Sequence, residues 1–464
     1  RGLGDVYKRQ LYIAILLLAG VLTSCKVGKS YVRPDLHLPD SLERAQDSIS
    51  FGDQDWRDIY TDATLRSLIE RALDHNKDML IAAARVKEMA AQKRISTAAL
   101  LPDIKGKVTA ERELENHGGD AFKRSETFEA QFLVSWELDL WGNLRWARSA
   151  SIAEYLQSIE AQRALRMTIV AEVAQAYYEL VALDTELDIV KQTLKAREEG
   201  VRLARIRFAG GLTSETSYRQ AQVELARTAT LVPDLERKIS LKENDIAYLA
   251  GEYPNKIARS RLLQEFNSPE TLPVGLPSTL LERRPDIRQA EQKLIAANAK
   301  VGVAYTNMFP RLALTGGFGS ESTSLSELLK SPYAVMEGAL LTPIFGWGKN
   351  RAALKAKKAA YEAEVHSYEK AVLEAFKETR NAIVNFNKIK EVYELRANLE
   401  RSAKSYMDLA QLQYINGVIN YLDVLDAQRG YFDAQIGLSN AIRDELIAVV
   451  QLYKALGGGW EQNP

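Results

Sequence analysis

From Asn350 to Asn416 the chain runs 67 residues without a glycine or a proline, and from Asn143 to Ala209 another 67 with one glycine and no proline. Glycine and proline are the residues that most readily interrupt a helix, and at about 1.5 Å per residue each stretch reads as a helix of roughly 100 Å. A globular domain has no room for such an element. Within the first stretch Ile169, Val173, Ala176, Leu180, Leu183, Leu187, Val190 and Leu194 recur in steps of four and three, the period of a left-handed coiled coil. Leu395, Leu399, Ser402, Tyr406 and Leu409 keep the same habit in the second. The stripe predicts helices packed along their whole length and is silent on what they enclose.

The two stretches belong to a tandem repeat. "LWGNLRWARSA" (140–150) aligns with "GWGKNRAALKA" (346–356), and "RFAGGLTSETSYRQAQ" (207–222) with "QYINGVINYLDVLDAQ" (413–428), both at an offset of 206 residues. Gly211 thereby falls on Gly417. Upstream, "LLPDI" (100–104) meets "MFPRL" (308–312) at an offset of 208. Each half therefore carries one structural unit, read as helix, two strands, very long helix, glycine turn and long helix. Pro233 lies in the second long helix, where a kink or break is expected.

Between the helices the hydrophobic period changes to two. Phe128, Ala130, Phe132, Val134, Trp136, Leu138 and Leu140 share one face of a strand, with Glu129, Gln131, Ser135, Glu137 and Asp139 on the other. Residues 103–114 alternate less purely, and the second half repeats the layout more loosely near Arg311–Ser320 and Tyr333–Phe345, with polar loops at 115–126 and 320–332. Each run has the length and alternation of a transmembrane β-strand, apolar outward and polar inward, although a half-buried soluble hairpin alternates likewise. Pro102, Pro310 and Pro343 stand at the strand–helix junctions, where a fixed φ and a missing N–H do least harm.

Four membrane strands cannot stand alone, because open strand edges are not tolerated in lipid and the smallest bacterial barrels have about eight strands. The barrel must be shared between copies of the chain. Two copies make eight strands with a filled interior, and three make twelve with room for water; the inward acids, lysines and glutamines favour three.

Composition removes other classes. Lysine plus arginine equals aspartate plus glutamate at 61 each, so no global field attracts nucleic acid. The four histidines and single cysteine do not stand in metal-ligand spacing, and no P-loop, G-x-S-x-G or HExxH motif is present, so neither a metal site nor an enzyme is expected. The cysteine has another explanation. Lys8 and Arg9, the apolar run "LYIAILLLAGV" and then "LTSC" read as a signal peptide over residues 1–24, and "LTSC" resembles a bacterial lipobox. That resemblance implies a covalent lipid on Cys25 as the only prosthetic group, and Lys26 after it implies the outer membrane.

With these features together, the chain resembles the TolC family of outer membrane factors, in its lipoprotein branch serving RND-type efflux. "YVRPDLHLP" (31–39), "RRPDIRQAE" (283–291), "YLDVLDAQR" (421–429) and "LYKALGGGW" (452–460) carry the resemblance over nearly the whole mature chain. It implies a homotrimeric channel of mixed α and β structure, with a shared 12-stranded outer-membrane β-barrel, four strands per chain, and a periplasmic α-helical barrel. The expected divisions are a lipidated N-terminal and equatorial segment (25–62), a first repeat (63–251), an equatorial linker (252–276), a second repeat (277–458) and a tail (459–464).

The family resemblance also implies a passive exit duct, engaged by a periplasmic adaptor and an inner membrane RND-type transporter and carrying drugs, metals or other small molecules outward. Gly211 and Gly417 then mark the periplasmic tips of the helical hairpins. Asp423 and Asp426 match the paired aspartates that narrow the periplasmic entrance, and Tyr414 matches a gate tyrosine. Each has a plainer reading. Asn420 can cap the helix with Asp423 at its third position, where an acid is stabilised by the helix dipole, and Tyr414 can be a packing residue. The family's tip arginine is replaced by Ile419, so a closing network built on it does not carry over. A type I protein secretion channel and a periplasmic coiled-coil scaffold are the alternatives.

Overall fold

The structure is a computed structural model and describes residues 26–36, 50–116, 122–260, 263–266, 273, 277–344 and 346–460. Short α1 (Trp56–Ile59) precedes α2 (Ala63–His75), α3 (Lys77–Ala98), β1 (Asp103–Glu115), β2 (Lys123–Leu138), α4 (Asn143–Ala209) and α5 (Glu215–Leu249). The second half repeats this order as α6 (Pro277–Arg283), α7 (Pro285–Thr306), β3 (Arg311–Ser322), β4 (Pro332–Leu341), α8 (Lys349–Ile415) and α9 (Tyr421–Ala455). Contacts divide the chain into two units. One holds the described residues of Arg1–Leu36, Arg85–Ile159 and Gln289–Lys370, the other those of His37–Ala84, Glu160–Arg288 and Ala371–Pro464.

The first unit contains the sheet, antiparallel in the order β1-β2-β3-β4. Its register lines up one apolar face across all four strands: Gly106, Phe132, Phe318 and Ala334 form one row, and Ile104, Val134, Gly316 and Met336 the next. This face is open, with Phe132 68% and Phe318 64% exposed. The other face is polar and internally bonded. Tyr333 lies opposite Gly319, which has no side chain to obstruct it, and its hydroxyl donates to Glu129 Oε1 (2.7 Å) and Gln131 Oε1 (3.1 Å) of β2; Lys107 of β1 reaches Glu129 Oε2 at 3.1 Å. β1 and β4 are the edges of the sheet.

Strand limits differ from those the alternation suggested. β2 begins at Lys123, inside the expected loop, because strand pairing continues where the hydrophobic signal has stopped; β4 ends at Leu341. Pro343, two residues on, has no N–H to continue a ladder. Phe345 lies outside the described residues.

The second unit is helical. Leu65, Leu68, Ile69 and Ala72 of α2 pack with Ile169, Val173, Ala176 and Leu180 of α4, Ile246 of α5 and Ala448 and Leu452 of α9. The first half of the α4 stripe is therefore core, while Leu183, Leu187 and Leu194 farther along it are only partly buried. The second stripe is not core: Leu395, Leu399, Tyr406 and Leu409 of α8 are exposed, so packing along the whole length does not hold within a single chain.

The helix preceding each hairpin is broken at equivalent points. Asn76, between α2 and α3, accepts from the N–H groups of Asp78 and Met79 and donates to the Leu249 carbonyl at 2.9 Å. Arg284, between α6 and α7, donates to the carbonyl of Ala455, the repeat counterpart of Leu249, at 3.1 Å. A break at Pro233 does not occur: α5 runs through it as one helix. One missing N–H is a local loss, and Leu235 and other residues of the helix remain buried against their neighbours.

Candidate functional site

The two long helical hairpins turn at Gly211 and Gly417, with φ of +74° and +73°. Nothing stands within 4 Å of where a Cβ would sit at either residue, so backbone conformation rather than crowding calls for glycine. The hydrogen bonds are those of a Schellman cap. Leu212 N–H donates to the Arg207 carbonyl (2.8 Å) and Gly211 N–H to Phe208 (2.9 Å); Val418 N–H donates to Gln413 (2.9 Å) and Gly417 N–H to Tyr414 (3.0 Å).

Past the second turn Asn420 caps α9, and its N–H donates to Asp423 Oδ2 at 3.1 Å. That contact gives Asp423 the capping role anticipated from sequence. Asp423 and Asp426 are both exposed, between the buried apolar residues Tyr421, Val424, Leu425 and Ala427. Tyr414 is buried. Its ring lies 5.3 Å from that of Tyr421 and 4.6 Å from the Arg207 guanidinium, and its hydroxyl has no hydrogen-bond partner among the described residues. Desolvation, the largest cause, pushes the Tyr421 hydroxyl up to about 12. Ala204 and Ala221 of the first hairpin complete this small core, so the turns of both hairpins share it.

Sequence reading missed the charged cluster beside this core. Glu224 of α5, 3% exposed, meets Arg197 of α4 at 2.7 Å and Arg429 of α9 at 2.5 Å. Arg197 also donates to the Glu224 carbonyl oxygen at 2.9 Å. The hydrogen bond from Arg429, first, and the charges of both arginines hold the carboxyl below its ordinary range against desolvation. A signal was present: Glu224 occupies the buried stripe Ala221, Glu224, Thr228 and Leu235, where a coiled coil ordinarily has an apolar residue.

Of the other residues singled out, Pro102 immediately precedes β1, Pro310 immediately precedes β3, and Pro343 follows β4. Cys25 lies outside the described residues, but the segment after it is anchored. Lys26 Nζ sits 3.4 Å from the centroid of the Trp146 ring and donates to Ser149 Oγ at 2.8 Å; the Trp146 indole N–H donates to the Val27 carbonyl at 2.7 Å. A Cβ on Gly302 would stand 2.3 Å from the Trp146 ring, so that glycine makes room for the indole. Farther along, Arg33 grips Glu291 through two hydrogen bonds of 2.7 and 2.6 Å.

Each half of the chain thus supplies two strands of one sheet and a pair of long helices, and the comparison with known families finds the same duplication. The profile described as "Outer membrane efflux protein" matches residues 68–252 and 276–458. The chain belongs to the outer membrane efflux protein family. Among relatives of this family, the outer membrane protein OprJ of Pseudomonas aeruginosa is 33% identical over 97% of this chain and 96% of its own length. The cation efflux system protein CusC of Escherichia coli is 28% identical over 96% of this chain and 98% of its own. The solved outer-membrane channel OprN superposes with a TM-score of 0.88 at 28% identity, covering 94% of this chain and all of that one. The fold is thus that of the outer membrane factors, with its internal repeat, and the protein is an outer membrane efflux component of the TolC type, as its motifs indicated.

Proposed function

We propose that three copies of this chain form the exit duct of a tripartite efflux pump, a passive channel carrying small molecules from the periplasm to the outside. The sheet carries the argument. Its apolar face is exposed across four strands and both its edges are open in one chain, a state that lipid does not tolerate. Closure by three copies gives twelve strands and a lumen wide enough for water, which suits the hydrogen-bonded Lys107, Glu129, Gln131 and Tyr333 on the inner face. The exposed stripe Leu395, Leu399, Tyr406 and Leu409 on α8 supports the same reading, because it is a coiled-coil seam awaiting a neighbour.

At the periplasmic entrance, Asp423 and Asp426 of each copy form a ring of carboxylates that narrows the opening and attracts cations. Tyr414 supports it from the buried core behind. The turns at Gly211 and Gly417 receive the periplasmic adaptor, which links the duct to an inner membrane RND-type transporter; that transporter selects the cargo. A lipid on Cys25 anchors the N-terminus to the outer membrane, and the strap from Lys26 onward holds it against the protein. The test is mass and conductance of protein extracted from outer membranes in detergent. A trimer that opens water-filled pores in planar bilayers is the expected result, and a water-soluble monomer overturns the reading.

A further inference from the structure

We propose that β4 of one copy pairs antiparallel with β1 of a second copy in a single register, with Gly338 opposite Ala110, Ala339 opposite Thr109 and Leu340 opposite Val108. The inference rests on the oligomeric reading above and goes beyond it by fixing which residues meet. Its basis is the repeat. The aligned segments before β1 and β3 differ by 208 residues, and those after β2 and β4 by 206.

The observed sheet tests both offsets. Carried forward by them, Ile104 opposite Val134 becomes Leu312 opposite Leu340, and Asp103 opposite Ser135 becomes Arg311 opposite Leu341; both are pairings found between β3 and β4. The repeats are therefore in step through the strands. Within one chain they join at β2 and β3, where Phe132 faces Phe318, Leu133 faces Gly317 and Val134 faces Gly316. The open edges are the images of those strands, β4 of β2 and β1 of β3. Applying the offsets to the inner seam yields the three pairs proposed for the outer one.

Side-chain chemistry agrees with that register. On the apolar face it sets Ala334 beside Leu114, Gly338 beside Ala110 and Leu340 beside Val108, continuing the band formed by the other strands. A slip of one residue turns the lipid-facing set of one copy toward the lumen of the next. Glu337 opposite Glu111 is a like-charged pair, placed on the water-facing side where repulsion is weakest.

A second contact follows at the root of the strands. At the inner seam the Trp141 indole donates to the Pro310 carbonyl at 2.8 Å and stacks on Phe309 at 5.0 Å between ring centroids. Their images are Trp347, Pro102 and Leu101. Trp347 is 90% and Leu101 66% exposed; Gly348 keeps the positive φ of Gly142, +77° against +81°, while Trp347 itself stands at φ +48°, a conformation Trp141 does not share. Trp347 and Leu101 are therefore the two exposed apolar side chains that the seam brings together at the root of the strands.

Paired cysteines introduced into the full chain decide the matter. Ala339→Cys with Thr109→Cys, and Gly338→Cys with Ala110→Cys, are expected to give covalently closed trimers on oxidation of outer membranes, seen by non-reducing electrophoresis. Directly opposed residues lie within disulfide reach. Ala339→Cys with Lys107→Cys or Glu111→Cys, displaced by two positions, is expected to stay unlinked, since diagonal neighbours are about 7–8 Å apart. Linking by a displaced pair instead of the opposed ones overturns the register while leaving the trimer intact. A native-mass trimer that no pair links overturns the seam, and absence of any trimer overturns both this seam and the oligomeric reading. Trp347→Ala serves as an independent variant, expected to lower the temperature at which the trimer dissociates in detergent; an unchanged temperature removes the tryptophan from the seam.

Discussion

Glu224 and Arg429, 205 residues apart in sequence, are joined at 2.5 Å, tying the first helical hairpin to the second. Arg429 lies one turn from Asp426, whose charge also raises its pKa. A carboxylate that engages one arginine from each hairpin is a clasp between them.

Glu224→Gln is therefore expected to loosen the hairpin turns. Arg197, buried and dependent on that carboxylate, is left uncompensated, a loss on the order of 3 kcal/mol. Hydrogen exchange in residues 197–224 and 421–432 is the measurement, with faster exchange expected. The folded pKa of Glu224 is depressed, so its stabilisation is present above the unfolded value of about 4.3 and is lost as pH falls through the lower folded value. The wild-type turns are expected to loosen on acidification below about pH 4, and the Gln variant to show much less of that dependence.

Asp423 and Asp426, proposed to line the entrance, are expected to separate in their effects. Asp423→Ala removes the acceptor of the Asn420 N–H and is expected to cost about 1 kcal/mol at the start of α9. Asp426→Ala removes an exposed charge without that contact. It is expected to raise single-channel conductance and weaken block by divalent cations with little change in thermal stability. Equal conductance in wild type and the double variant leaves both acids as features of the helix terminus alone.

Gly417→Ala places a side chain at a φ of +73° with open space around it. The penalty is conformational and is expected to be about 1 kcal/mol. Gly211→Ala is expected to match it, because the two turns share geometry and hydrogen bonds.

Trp146→Ala is expected to release the N-terminal strap, since Lys26 and Val27 both depend on the indole. Limited proteolysis reads this as faster cleavage within residues 26–33. Lys26→Gln, which keeps the tryptophan and its packing, is expected to produce a smaller increase.

Periodicity and repetition in the sequence determined the long helices, the four alternating strands, the glycine turns and the duplication, because each is a local pattern written residue by residue. The apolar side of β1 and β2 was legible for the same reason, as was the cap formed by Asp423. Tertiary structure alone decided how the repeats join: β2 lies against β3 across a connection of more than 170 residues that no local pattern encodes. It also decided that Ile169, Val173, Ala176 and Leu180 of the α4 stripe are core while the apolar residues of the α8 stripe are exposed, for an apolar period records that a surface is to be covered and leaves open which chain covers it. Glu224 shows the same limit. A lone acid in a coiled-coil stripe is a signal without a partner until folding brings Arg197 and Arg429 to it.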